Sequence, residues 1–231
     1  MLLILCHLRF RPFFSGNSRR FRLLLSLMLG VGVASAQKPN IILILADDLG
    51  YGDVQCLYLR AKTQTPHLNR LAREGMTFTN AHSPSAVCTP TRYGLLTGRY
   101  AWRTQPDRGV LGGYAPPLIE PGRATLATLF KQRGYHTACI GKWHLGLNYS
   151  RPNPAQPAWW GNQLDPDSVN VDFSRPVTGL REAGFDESFA LPISLDAPPY
   201  CFIRNGVVLG QPLRFQLGNP VLTDGHSTGR F

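Results

Sequence analysis

Residues 85–99 read Ser-Ala-Val-Cys-Thr-Pro-Thr-Arg-Tyr-Gly-Leu-Leu-Thr-Gly-Arg, and this stretch constrains the fold more than any other. Pro90 suits the first turn of a helix, where its missing N–H costs little, and Gly98 is a stop after Tyr93 to Thr97. Cys88 is thereby predicted at a helix N-terminus, where unpaired backbone N–H groups and the helix dipole favour negative charge. Arg92 lies one turn on, on the same face. The arrangement suits a nucleophile facing an oxyanion. Taken alone, a cysteine beside a proline is more often a capped helix start or a buried thiol.

The chain preceding this stretch opens with a leader. Arg9, Arg11, Arg19, Arg20 and Arg22 precede the apolar run from Leu23 to Val33, and Ala34-Ser35-Ala36 is a small-residue cleavage pattern. Residues 1–36 read as a secretory signal peptide and 37–231 as the mature chain. The apolar run is shorter than the roughly 20 residues that span hydrocarbon, which points to export rather than a stable membrane anchor. Losing five arginines lowers the formal charge from +10 to +5. That mild basicity suits anionic substrates, and the absence of a dense Lys/Arg run argues against nucleic acid. Of five cysteines, Cys6 falls in the leader, leaving Cys56, Cys88, Cys139 and Cys201. With Cys88 reserved for chemistry, the remaining three cannot all pair, so at least one thiol is expected to be free or externally paired.

Residues 41–45 are a short continuous apolar run, predicting a strand buried on both faces in an α/β sheet. Asp47, Asp48 and Gly50 follow at once. Carboxylates just past the end of a buried strand lie where open α/β sheets place ligands, and adjacent hard oxygen donors suit Ca²⁺ or Mg²⁺. A plain turn with capping acids is the other reading. Thr65 and Pro66 open a helix whose apolar face is Leu68, Leu71 and Ala72 and which Gly75 ends. Residues 76–81 read as a strand, and His82 as a site-lining or an ordinary loop histidine. Residues 99–122, rich in Gly, Pro and aromatics, read as a long surface excursion.

Residues 125–133, with Leu126, Leu129 and Phe130 along one face, predict a helix that Gly134 ends. Residues 135–140 predict a strand delivering Lys142 and His144 just past its end. Positions two apart on extended backbone point the same way, so these two are expected to face one pocket while Trp143 packs behind. A lone Lys and His after a strand are more often a surface charge and a satisfied histidine than a functional pair. Asn148-Tyr149-Ser150 is a glycosylation sequon. Residues 151–177 read as loop, and residues 203–211 as a hairpin around Asn205-Gly206.

Four ordered motifs carry a family resemblance: Pro39-Asn-Ile-Ile-Leu-Ile-Leu-Ala-Asp-Asp-Leu-Gly-Tyr-Gly-Asp53, Thr65-Pro-His-Leu-Asn-Arg-Leu-Ala-Arg-Glu-Gly75, Cys88-x-Pro-x-Arg92 with Tyr-Gly-Leu-Leu-Thr-Gly-Arg99, and Gly141-Lys-Trp-His-Leu-Gly146. Together they resemble the formylglycine-dependent, arylsulfatase-like sulfatases of the alkaline phosphatase superfamily. The resemblance implies an α/β fold, an alkaline-phosphatase-like α/β/α sandwich with a central, mostly parallel sheet. Residues 37–231 would be the N-terminal portion of its catalytic domain. Further metal ligands, a second His and a second Lys come later in the family, and Asp224 and His226 lack the motif context to replace them.

The resemblance also implies chemistry. Cys88 would be oxidised to formylglycine by a formylglycine-generating enzyme, and its hydrate would attack sulfur. Asp47, Asp48 and position 88 would bind a metal, calcium rather than magnesium. Arg92 would hold the formylglycine, Lys142 would bind sulfate, and His144 would serve as base. Ser194 and Asp196 would approach the substrate pocket, with turn residues among prolines as the competing reading. The substrate would be a sulfated carbohydrate or aryl sulfate, and the location periplasmic or secreted, lysosomal in a eukaryote. A phosphonate or phosphodiester hydrolase of the same superfamily and a catalytically inert, anion-binding fragment are the alternatives.

Overall fold

A computed structural model describes residues 38–104, 109–159, 169–195 and 197–210. The leader expected at 1–36, Asp196, Asp224 and His226 lie outside the described residues. The chain divides into two compact units, one ending at His82 and the other beginning at Ser83.

In the first unit, helix α1 spans Pro66–Glu74, with Pro66 in its first turn and Gly75 closing it by donating to the Leu71 carbonyl. Leu68, Leu71 and Ala72 are half-buried, as their spacing predicts. Thr65 does not cap this helix with its side chain. Its hydroxyl instead accepts from the Gln55 N–H at 3.0 Å and donates to Asn69 Oδ1, while Thr65 N–H donates to Gln55 Oε1. A long-range partner has displaced the local one. Residues 41–45 and 76–81 form no strand, Leu45 making only an isolated bridge. Ile42 and Ile44 are 75% and 63% exposed. A strand is made by its neighbours' N–H and C=O groups, and an apolar run cannot supply those itself.

In the second unit, α2 spans Cys88–Thr97 and ends at Gly98, whose φ of 65° is the left-handed conformation that helix ends favour. A single-turn 3-10 helix follows at Ala101–Arg103. Helix α3, Leu126–Gln132, begins with a reciprocal cap. The Thr125 hydroxyl accepts from Thr128 N–H at 3.1 Å, and Thr128 Oγ1 accepts from Thr125 N–H at 2.8 Å. Thr125, 1% exposed, also donates to the Ala183 carbonyl at 2.6 Å. Ala127 rather than Leu129 faces inward, Leu129 being 52% exposed.

Strands β1 (Ala138–Lys142), β2 (Glu187–Leu191), β3 (Phe202–Arg204) and β4 (Val207–Leu209) form one sheet in that order. β1 and β2 are parallel, with Ala138 opposite Glu187 and Lys142 opposite Leu191, and the other two pairings are antiparallel. The described sheet is thus mixed with a parallel start. β1 lies later than the expected 135–140 because pairing begins where β2 begins. Tyr135 instead packs edge-on against Phe130, and Thr137 binds the Asp186 carboxylate through N–H and hydroxyl. Lys131 donates to that carboxylate, and with Thr137 it holds the Asp186 pKa well below the ordinary carboxylate range.

Asn205 (φ 49°) and Gly206 (φ 84°) turn the β3–β4 hairpin where Asn-Gly predicts it. Ala190, Ile203 and Val208 point inward, whereas Ile140, Phe189 and Phe202 are exposed on the other face, the two phenylalanine rings stacked at 5.1 Å. Residues 109–122 are not a surface excursion: Leu111, Tyr114 and Leu118 are buried in the core with Trp143, Leu145 and Leu147. Backbone bonds from Leu118 N–H to the Leu145 carbonyl and from Leu147 N–H to the Ala115 carbonyl satisfy this stretch as a ladder would.

Thr125→Ala removes both the cap and the bond to Ala183, and we expect it to destabilise the protein by about 1–3 kcal/mol in denaturant unfolding. Thr125→Ser should retain most of that stability. Equal loss in both variants would assign the effect to the methyl group instead.

Candidate active site

Val87, with extended backbone, precedes α2, and Cys88 is the first helical residue, as Pro90 predicts. Cys88 and Arg92 are both half-buried. Lys142, the last residue of β1, places Nζ 3.0 Å from Cys88 Sγ, donating to the sulfur across 54 residues of sequence. Arg92 Nη1 donates to the backbone carbonyl of Lys142. The helix start and the end of the parallel strand are therefore joined through both side chains predicted to flank Cys88. This is also the carboxyl end of β1, where α/β sheets assemble their sites.

His144 is built differently from its expectation. Its φ of 55° breaks the extended run, so the alternation that would set it beside Lys142 does not hold. The residue is 5% exposed, and ring Nε2 lies 2.9 Å from the Leu111 carbonyl. A carbonyl only accepts, so Nε2 carries the hydrogen and the neutral ring keeps its lone pair on Nδ1. His144 N–H donates to the Pro192 carbonyl, and Trp143 N–H to the Leu191 carbonyl, running this turn alongside the end of β2. Trp143 is 3% exposed and packs behind as predicted, its indole donating to Gly146 O at 2.8 Å. Gly146 has no substitute: at φ 75° an added Cβ would lie 2.0 Å from the Pro116 carbonyl oxygen. Ser194 is half-buried, three residues past β2.

Sequence reasoning missed Thr89 and Glu120. Thr89, 2% exposed, donates to the His144 carbonyl at 2.9 Å and accepts from Leu111 N–H at 3.1 Å. Glu120 receives the Tyr93 hydroxyl, Arg99 and Arg123, and so clamps the middle and end of α2. Burial alone would raise the Glu120 pKa. Hydrogen bonds from its own backbone and from Tyr93 and Arg123, with the charge of Arg123, outweigh that and lower it. No local pattern marks a threonine or glutamate whose partners lie tens of residues away.

Asp47 and Asp48 belong to the first unit, separated by Ala46 from the bridge at Leu45. Both are exposed, and Asp48 adopts φ 58°, a conformation aspartate tolerates. Among the described residues no group of three or more His, Cys, Asp or Glu is gathered to hold a metal ion. The donor chemistry of two adjacent carboxylates fits a hard divalent cation, and further oxygens must complete the roughly six to eight that Ca²⁺ takes.

Comparison with known proteins places this arrangement. The Sulfatase family description matches residues 39–193. The chain belongs to the sulfatase family. It is 41% identical to an N-acetylgalactosamine-6-O-sulfatase of Bacteroides thetaiotaomicron over 76% of its own length and 31% of that protein. Human arylsulfatase A is 45% identical over 53% of this chain and 24% of the relative. The chain thus spans about a third or less of the length of these curated relatives. A solved structure from work on glycosaminoglycan metabolism by Bacteroides thetaiotaomicron matches with a TM-score of 0.62 at 41% identity, covering 76% of this chain and 32% of that one. The fold is the sulfatase α/β fold expected from the motifs.

The four described cysteines, Cys56, Cys88, Cys139 and Cys201, form no disulfide. Burial pushes the Cys139 thiol up to about 11, against the opposing charge of Arg92, and Cys201 up to about 12. Because the thiolate is the reactive form, alkylation of the native protein at about pH 8 should label exposed Cys56 quickly and spare Cys139 and Cys201 until unfolding. Rapid native labelling of Cys201, read by peptide mass spectrometry, would contradict the packing described.

Proposed function

We propose that the protein hydrolyses sulfuric esters, with position 88 converted to formylglycine before it acts. The observation that carries this reading is the lysine ammonium one hydrogen bond from Cys88 at the first turn of α2. The sulfur marks the position where the oxygens of a hydrated formylglycine would stand. A cation there neutralises an incoming sulfate, and the N–H groups of the helix start and Arg92 add positive potential around it. Arg92, tied to the Lys142 backbone, orients the formylglycine. His144, with its lone pair on Nδ1, accepts the proton that must leave the hydrate before sulfate is expelled.

Asp47 and Asp48 would supply ligands to a divalent cation, for which calcium is the better fit than magnesium. Bound there, such a cation supplies Lewis-acid polarisation of the ester oxygens. The substrate class is a sulfated glycan, a reading supported by the name of the Bacteroides relative and by the residual positive charge of residues 37–231. Ser194, beside the end of β2, would contact the sugar. Export follows from residues 1–36 as a cleaved leader, and the maturation partner is a formylglycine-generating enzyme. No helix among the described residues is long and apolar enough to cross a membrane.

Peptide mass spectrometry across residue 88 should find the mass of formylglycine in the secreted protein. Cys88→Ala should abolish turnover of an aryl sulfate, and Lys142→Ala should lower it by about 10²–10³-fold. A plain thiol at 88 in a preparation that turns over sulfate esters, or faster turnover of phosphodiesters than of sulfate esters, would overturn the proposal. Chelation should remove activity and added Ca²⁺ restore it, with Asp47→Asn and Asp48→Asn each raising the calcium concentration required. Full activity in excess chelator would remove the metal from the scheme.

A further inference from the structure

Three buried residues from three separate segments close a ring of hydrogen bonds beside Cys88. Thr89 Oγ1 donates to the His144 carbonyl at 2.9 Å, Leu111 N–H donates to Thr89 Oγ1 at 3.1 Å, and His144 Nε2 donates to the Leu111 carbonyl at 2.9 Å. Thr89, Leu111 and His144 are 2%, 7% and 5% exposed, so water does not compete for these groups. Both main-chain groups of Leu111 are used within the ring, and Thr89 spends its hydroxyl as donor and acceptor together. His144 needs such support. A histidine at φ 55° is uncommon, and its N–H and C=O are held by Pro192 and Thr89 respectively.

We propose that Thr89 is the positioning residue that fixes His144 in its neutral Nε2–H tautomer, with the ring lone pair on Nδ1. It acts through Leu111. The Leu111 carbonyl is an acceptor only, and it stays aimed at Nε2 because the Leu111 N–H is anchored to Thr89 at the start of the nucleophile helix. The same hydroxyl anchors the His144 backbone to the residue adjoining Cys88, so the tautomer of the imidazole and its register against α2 are set by one side chain. This inference rests on the reading of His144 as proton carrier only for its kinetic consequence.

The test compares Thr89→Val, which keeps the shape and removes the hydroxyl, with Thr89→Ser, which keeps the hydroxyl. In the wild-type protein, imidazole nitrogen NMR above the pKa of His144 should show one tautomer with the hydrogen on Nε2. Thr89→Val should give a mixture of tautomers, and Thr89→Ser should match wild type. Turnover of an aryl sulfate should fall about 10- to 100-fold in kcat for Thr89→Val, with KM changed by less than about twofold. A wild-type ring with its hydrogen on Nδ1, or a Thr89→Val protein with unchanged tautomer and kcat, would overturn the proposal. If Thr89→Val does not fold, the wild-type tautomer and the Thr89→Ser comparison decide it alone. If wild type turns over no sulfate ester, the functional reading fails while the NMR result still stands for or against Thr89.

Discussion

The attachment of the start of α2 to the turn after β1 is the constraint on which the second unit depends. Three side chains make it: Thr89 to the His144 carbonyl, Arg92 to the Lys142 carbonyl, and Lys142 to Cys88. Each joins groups 50 or more residues apart in sequence. In a poorly solvated interior a backbone carbonyl left without a donor is costly, so the turn and the helix stabilise each other in one arrangement rather than several. The parallel β1–β2 pair then follows, because Trp143 and His144 continue the strand's backbone bonding onto Leu191 and Pro192.

The same interactions supply the electrostatics of the site. A lysine and an arginine reach the first turn of a helix whose own N–H groups already favour anions, and the Glu120 carboxylate is occupied by Tyr93, Arg99 and Arg123. Positive potential therefore accumulates at the Cys88 end while the negative charge is neutralised elsewhere. That asymmetry suits an anionic ester better than a neutral one. Burial holds the Cys139 and Cys201 thiols above the ordinary range, so both stay protonated near neutral pH.

Where sequence reading succeeded, the signal was local. Thr65-Pro66 to Gly75, Pro90 to Gly98 and Thr125 to Gly134 each carry a start and a stop within one short segment, and all three helices formed there. Asn205-Gly206 turned its hairpin for the same reason. Where it failed, the deciding partner was remote. Residues 41–44 are as apolar as a core strand and remain exposed, because no strand among those described pairs with them. β1 is displaced toward Lys142 because its limits are those of β2, a strand that the sequence did not announce. Residues 99–122 look like a loop by composition and yet contribute Leu111 and Tyr114 to the core.

The sequence by itself determined that a cysteine begins a helix with an arginine one turn on, and that the chain belongs to the sulfatase family, since ordered motifs and helix caps are properties of neighbouring residues. Only the tertiary structure decided that Lys142 touches Cys88, that His144 Nε2 meets the Leu111 carbonyl, and that Thr89 ties the segments of Leu111 and His144 to the start of α2. Such choices depend on which buried donors and acceptors can be paired at once, and that is settled by the packing of segments far apart in the chain.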